Sequence, residues 1–167
     1  MNGARRQFLR TGLAGGLLLS FCGWLNAAGA RPFAVGEREM LAAIANALLD
    51  GALPSEREAR RRLVERTVDA IGTEIAGLAL ATQKELGELF SLMVLAPGRM
   101  IIIGVGKSWR SASVAEVAEF LQSWRTSRLS LLQSAYAALH DLTFGAWYAH
   151  PDTWETIGYP GPPRGYF

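Results

Sequence analysis

Residues 113–148 read SVAEVAEFLQSWRTSRLSLLQSAYAALHDLTFGAWY, and this stretch decides the fold. Ser113-Val114-Ala115-Glu116 is a capping box: the Ser113 hydroxyl accepts from the Glu116 amide while the Glu116 carboxylate reaches back. Behind it, Val117, Phe120, Leu121 and Trp124 recur at helical spacing. Thr126-Ser127 reads as a joint. Arg128 to Tyr148 then forms the longest predicted helix, with Leu129, Leu132, Tyr136, Leu139, Leu142 and Phe144 supplying its apolar faces.

Working outward, the same period recurs. Glu37 to Leu49 places Met40, Leu41, Ile44 and Leu48 on helical faces, and Asp50-Gly51 to Pro54 breaks the run. Ser55-Glu56-Arg57-Glu58 reads as a capping box for a helix through Leu63, Val64, Val68 and Ile71. Arg57, Arg60, Arg61 and Arg62 on its early turns read as a solvated face with nearby acids. Gly72 is expected to be a joint before a short helix from Thr73 to Ala81. Thr82-Gln83-Lys84-Glu85 is expected to cap another, through Leu86, Leu89, Phe90, Met93 and Val94, with Pro97-Gly98 as its stop. The expectation is an all-α fold: a compact bundle of about five to six helices with an extended aromatic and proline-rich C-terminal tail.

One stretch competes. Met100 to Ser108 is a β-branched run followed by Gly106-Lys107-Ser108, which looks like a phosphate-binding loop. That motif needs a glycine five residues before Gly106, where Ile101 stands, and a parallel sheet for which no second strand exists. The stretch reads instead as a buried helical turn and a glycine loop leading to Trp109.

The first thirty residues are a different segment. Ala4-Arg5-Arg6-Gln7-Phe8-Leu9-Arg10 resembles a twin-arginine (Tat) export signal, whose usual pattern is Ser/Thr-Arg-Arg-x-Phe-Leu-Lys. Arg5, Arg6, Phe8 and Leu9 carry the likeness. Gly12 to Leu25 is the apolar run, and Ala28-Gly29-Ala30 fits a small-residue cleavage site at Ala28 and Ala30. The run is short of the roughly 20 residues a membrane span needs. Residues 1–30 are therefore read as a signal peptide and residues 31–167 as one helical domain, with its tail at 150–167.

Charge follows the same division. The chain holds 17 basic and 15 acidic residues, and the signal takes three arginines with it, leaving 14 against 15. A near-neutral domain lacks the basic patch that nucleic acid demands. The single cysteine, Cys22, lies in the signal, so the domain has no disulfide and no thiolate for a metal or iron–sulfur site. His140 and His150 lack metal-binding spacing, no serine elbow appears, and acids such as Glu56, Glu58, Glu116 and Glu119 sit at helix starts, where the helix dipole accounts for them. No catalytic, cofactor-binding or metal-binding residue is assigned to this chain.

The tail carries the most information. Trp147, Tyr148, Trp154 and Tyr159 are large surfaces with one polar handle each, and Pro160 to Pro163 forces an extended path. Asp152 is expected to cap a single turn holding Trp154. Such a tail either wraps its own helices or lies in a groove of another protein, and both hold if the Trp154 turn packs at home while Tyr159-Pro160-Gly161-Pro162 reaches out.

The pattern Trp147-Tyr148-Ala149-x-Pro151-x-x-Trp154-x-x-Ile157-Gly158-Tyr159-Pro160-Gly161-Pro162-Pro163, with Trp124-Arg125-x-Ser127-Arg128 and Tyr136-x-x-Leu139 before it, resembles the gluconate 2-dehydrogenase subunit 3 family. The likeness covers about residues 36 to 163 and is sharpest at Arg125, Arg128 and the tail. The resemblance implies a non-catalytic small subunit. Its partner would be a large FAD-dependent dehydrogenase subunit of the glucose-methanol-choline type, acting on gluconate, another sugar or an alcohol. It further implies that FAD sits on that partner, that the signal-bearing small subunit escorts it through the Tat translocase to the periplasm, and that a cytochrome c subunit takes the electrons. The expected partner-binding residues are Trp147, Tyr148, Trp154, Tyr159, Pro160, Pro162, Arg125 and Arg128. The rival readings are a free-standing periplasmic helical protein that holds a ligand or haem, a protein anchored to the membrane by its signal, and an enzyme using His140 or His150.

Overall fold

Met40, Leu41, Ile44 and Ala45 are almost completely enclosed, and the helix that carries them is the centre of the molecule. The computed structural model describes residues 32–95, 108–154, 158 and 160. Within them run α1 (Val35–Leu48), α2 (Arg57–Ala76), α3 (Leu80–Val94), α4 (Val114–Arg125) and α5 (Ser130–Tyr148), with 3-10 turns at Trp109–Ser111 and Pro151–Thr153. No strand occurs among the described residues, and the fold is all-α. The signal at 1–30 and the loop Met100–Lys107 with its phosphate-loop likeness lie outside the described residues.

The other four helices and the Trp109 turn all pack on α1. A helix that is apolar on several faces must be buried on several. Ala42, Ala43 and Ala47 add small contact faces between the large side chains and keep the neighbours close. Gly36 serves the same end, since a Cβ there would stand 2.6 Å from Val94 Cγ1 of α3. Phe33, just before α1, meets Phe90 of α3 edge-on at 6.0 Å, and Gly72 of α2 lies against its ring.

The helix ends show which local expectations hold. Ser113 caps α4 as a capping box, with its hydroxyl accepting from Glu116 N and Glu116 Oε2 accepting from Ser113 N at 2.8 Å. The α2 cap differs from expectation: it is Glu56 rather than Ser55, and its carboxylate accepts from both the Glu58 and Ala59 amides. Two oxygens on a longer arm satisfy two orphan donors where a hydroxyl would satisfy one. Those two bonds hold the Glu56 carboxyl below its ordinary value.

Gly72 is not a joint. α2 runs through it without a break and stops only at Ala76, so α2, at 20 residues, exceeds α5, at 19. Burial of Val68 and Ile71 on α1 and partial burial of Ile75 outweigh the modest helical cost of one glycine. α3 likewise starts at Leu80 rather than at the Thr82 cap, with no side-chain cap at Ala79. The arginine run on α2 is the solvated face expected of it: Arg61 and Arg62 pair with Glu58, and Arg60 reaches Asp50 at 3.0 Å and Asn46.

α2 and α5 lie antiparallel across the back of α1. Arg66 meets Asp152 at 2.6 Å, and Glu74 lies where a Cβ on Gly145 would stand 3.0 Å from its carboxylate. Partial burial in that niche pushes the Glu74 carboxyl up.

Two substitutions test this account. Ile71→Ala opens a cavity between α2 and α1 and should cost about 2–5 kcal/mol. Ser113→Ala removes only a cap and should cost about 1 kcal/mol. Denaturant unfolding of both variants should give that order, and an equal effect would contradict the central place of α1.

Candidate functional site

The α4–α5 turn is built by its own polar side chains. Thr126 Oγ1 donates to Gln122 O at 2.9 Å, Ser127 Oγ accepts from Leu129 N at 3.1 Å, and Gln133 Nε2 donates to Ser127 O at 2.8 Å. The turn so fixed presents Arg125 and Arg128 to solvent, and neither makes an ion pair or hydrogen bond within the described residues. Most basic residues of α1 and α2 are matched to acids, so this pair stands out. Leu129 and Leu131 beside them are 64% and 65% exposed. A guanidinium pair with two bare leucines can accept an acidic, apolar surface, because arginine pairs with carboxylates in a fixed fork and covers apolar surface with its stem.

Along α5, Tyr136, His140, Phe144 and Tyr148 form a ladder. Their ring centroids are 5.8, 4.5 and 5.9 Å apart in order. Spacing of four residues puts each ring over the next. His140 Nδ1 lies 3.0 Å from Asp141 Oδ1, which orients the imidazole. Tyr136 and Phe144 turn partly into the core, while Tyr148 stays 44% exposed. The sequence holds this ladder in plain form, Tyr-x-x-x-His-x-x-x-Phe-x-x-x-Tyr, yet apolar periodicity alone passes over it because histidine does not count as apolar.

Trp147 corrects an expectation. It is enclosed among Ala45, Leu49, Leu53 and Val64, where α5 crosses the end of α1, and offers no surface to a partner. Its neighbour Tyr148, about 100° further round the helix, is 44% exposed.

The tail starts with a clasp. Pro151 opens the 3-10 turn, and Thr153 Oγ1 donates to the Trp147 and His150 carbonyls at 2.8 and 2.7 Å. Trp154 Nε1 donates to Tyr148 O at 2.8 Å. Asp152 does not cap this turn; its carboxylate crosses to Arg66, which holds its pKa below the ordinary value. The turn's amides have few orphan donors, and a guanidinium is the stronger partner for a carboxylate. Trp154 is half-buried, Pro160 is exposed, and Tyr159 and Pro162 lie outside the described residues.

Among the described residues, two buried side-chain polar atoms have no hydrogen-bond partner, Trp124 Nε1 and His150 Nε2. Among the described residues, no group of three or more His, Cys, Asp or Glu is placed to hold a metal ion, and no helix is long and apolar enough to cross a membrane. The arrangement groups along α5 an exposed arginine–leucine knob at one end, an aromatic ladder along the helix, and the tail's origin at the other end. No family model, curated protein or solved structure matches this chain.

The clasp has a pH signature. Asp152 has its pKa lowered by Arg66, so its stabilisation is present above the ordinary carboxylate range and is lost as pH falls through the lowered value. Arg66→Ala should therefore unfold more easily than the parent at pH 7, with the gap closing in strong acid. A gap that persists unchanged at acid pH would show that Arg66 acts through its stem and not through Asp152.

Proposed function

We propose that this chain is the non-catalytic small subunit of a periplasmic FAD-dependent dehydrogenase, which it escorts through the Tat pathway and then stabilises. The observation that carries the reading is the C-terminal pattern from Trp147 to Pro163, which resembles gluconate 2-dehydrogenase subunit 3. The twin-arginine stretch supports it, since that route carries folded cargo and a flavoprotein must fold around FAD before it crosses. FAD belongs to the partner in this reading, with a cytochrome c subunit as the electron acceptor.

Escort sets a physical requirement. The pair must stay together through transit, so dissociation must be slow. With association at about 10⁵–10⁷ M⁻¹s⁻¹, a residence time of minutes corresponds to roughly nanomolar affinity. Such an interface needs a few desolvated anchors. The groups we assign to it are the exposed Arg125 and Arg128 with their flanking leucines at one end of α5, the exposed Tyr148 and half-buried Trp154 at the other, the exposed Pro160, and Tyr159 and Pro162, which lie outside the described residues.

The experiment is co-expression of the tagged full chain in its native host, gentle extraction of the envelope, and an absorption spectrum with mass spectrometry of what accompanies it. A large companion with flavin bands is expected. Arg5→Lys with Arg6→Lys should leave both proteins in the cytoplasm, and deletion of 158–167 should weaken the complex several-fold without lowering the domain's melting temperature. A colourless monomer in the envelope would overturn the reading.

A further inference from the structure

The first half of α5 keeps its charges at its two ends. Arg128 stands just before the helix and Asp141 lies thirteen residues further on, and apart from His140 nothing between them ionises. Both face solvent. Arg128 is exposed and makes no ion pair or hydrogen bond within the described residues. The Asp141 side chain is 81% exposed, and its contact among the described residues is through one oxygen, Oδ1, to His140 Nδ1. Leu129, beside Arg128, is 64% exposed.

A free cation and a free anion on one helix are the two halves of a match. An acidic partner would satisfy Arg128 but set its own acids against Asp141, and a basic partner would do the reverse. A second copy supplies both partners at once, because a two-fold interface puts residue i on residue j and j on i. A parallel pairing would set like charge on like, so the two helices must run antiparallel. They then cross midway between Arg128 and Asp141, at residues 134–135.

The dimensions allow it. Thirteen residues span about 20 Å, so each ion pair lies about 10 Å from the crossing. A crossing near 20° keeps the helices close over that length, and the arginine stem covers the remaining gap, whereas one near 50° would splay the ends apart. The exposed residues around the crossing, Ser130, Gln133 and Ala137, are uncharged and two of them are small, so the axes can approach toward the short end of the usual range of about 8–10 Å. In this register Leu129 of each copy stands opposite His140 of the other, whose ring is 40% exposed and stacked beside Tyr136. Bare leucine and bare ring edge cover each other twice.

We infer that the free chain pairs with a second copy through antiparallel α5 helices that cross at residues 134–135, with Arg128 of each copy on Asp141 of the other and Leu129 against the His140 ring. The pairing is weak by construction. A 19-residue helix edge is about 28 Å long and about 10 Å wide, so it covers about 300 Å² per copy against about 800 Å² in a standard interface. The inference does not rest on the escort reading. It concerns the chain before a flavoprotein is bound, and a partner seated on Arg128 would displace the second copy.

Cross-linking of the full chain, produced without companions and at micromolar concentrations, tests this. In a Cys22→Ser background, Ala137→Cys places one thiol near the crossing, and Glu85→Cys on α3 is the exposed control. A short bis-maleimide should link Ala137→Cys into dimers at least about tenfold faster than Glu85→Cys, as paired thiols have a far higher local concentration than free ones. Arg128→Glu in the Ala137→Cys chain should slow the linking about tenfold, because two attractions become two repulsions. Adding Asp141→Arg to that variant exchanges the charges and should restore the rate, which a misfolded chain could not do. Equal rates at the two cysteines would overturn the inference, since association through the signal or any other surface would treat them alike. Indifference to Arg128→Glu, or no recovery with Asp141→Arg, would overturn it as well. A chain that passes these tests but recovers no flavoprotein companion from the envelope would sink the escort reading and leave this one standing.

Discussion

Burial of α1 on nearly all sides is the constraint on which the molecule depends. Fourteen residues must present an apolar face to α2, to α3, to α4 with the Trp109 turn, and to α5. Large side chains alone could not do this, because they would hold the neighbours apart. The mixture of Met40, Leu41 and Ile44 with Gly36, Ala42, Ala43, Ala45 and Ala47 lets four elements approach one axis. The polar residues of α1 sit where neighbours leave a gap: Arg38 pairs with Asp69 and Glu39 with Arg110. Glu37 is buried, and its carboxylate accepts from the Ala34 amide at the helix start. The charge is placed where the helix dipole and an orphan donor both favour it.

From that hub the rest follows in order. α4 packs on α1 through Val117, Phe120, Leu121 and Trp124, and the edge-on series Trp109–Phe120–Trp124 fills the space beside them. Trp109 donates its indole N–H to Met93 O, which satisfies a carbonyl at the end of α3. Trp124 has no such acceptor, and its N–H stays unsatisfied within an otherwise apolar cluster. α5 is then held between α4 and α2, and its remaining edge becomes the aromatic ladder.

The helices were legible because their signals are local. The Ser113 box, the period through Val117 to Trp124 and the break at Thr126-Ser127 need no tertiary information, and each stands where the sequence places it. The misreadings have different causes. At Gly72 a local signal is overruled by long-range packing, as Ile71 and Ile75 hold the helix through the glycine, whereas at the α2 cap two local candidates compete and Glu56 offers two acceptors where Ser55 offers one. Trp147 repeats the Gly72 lesson at the candidate surface. Its membership of an aromatic tail pattern suggested exposure, but one residue of a helix faces about 100° from the next, and here that step takes Trp147 inside and leaves Tyr148 outside. Only the crossing of α5 over the end of α1 says which of them is inside. Asp152 went unrecognised as an ion-pair partner because Arg66 is 86 residues away in the chain.

The two ends of the described chain leave α1 from opposite ends. The chain enters at Val35, beside Val94 of α3, and α5 finishes with Trp147 on Ala45 and Leu49, at the far end of α1. Fourteen residues at helical rise separate these points by about 20 Å. For an escort this separation has a use. A signal must remain accessible to the translocase while the cargo is held, and in the escort reading a partner seated on Tyr148 and the tail's origin would bind at the end of α1 opposite Val35. The same geometry would serve poorly in a protein that buries its ligand between helices, because the centre of the bundle is filled by α1 side chains. Among the described residues, the outer edge of α5 is where exposed arginines, leucines and an aromatic ladder lie along one helix.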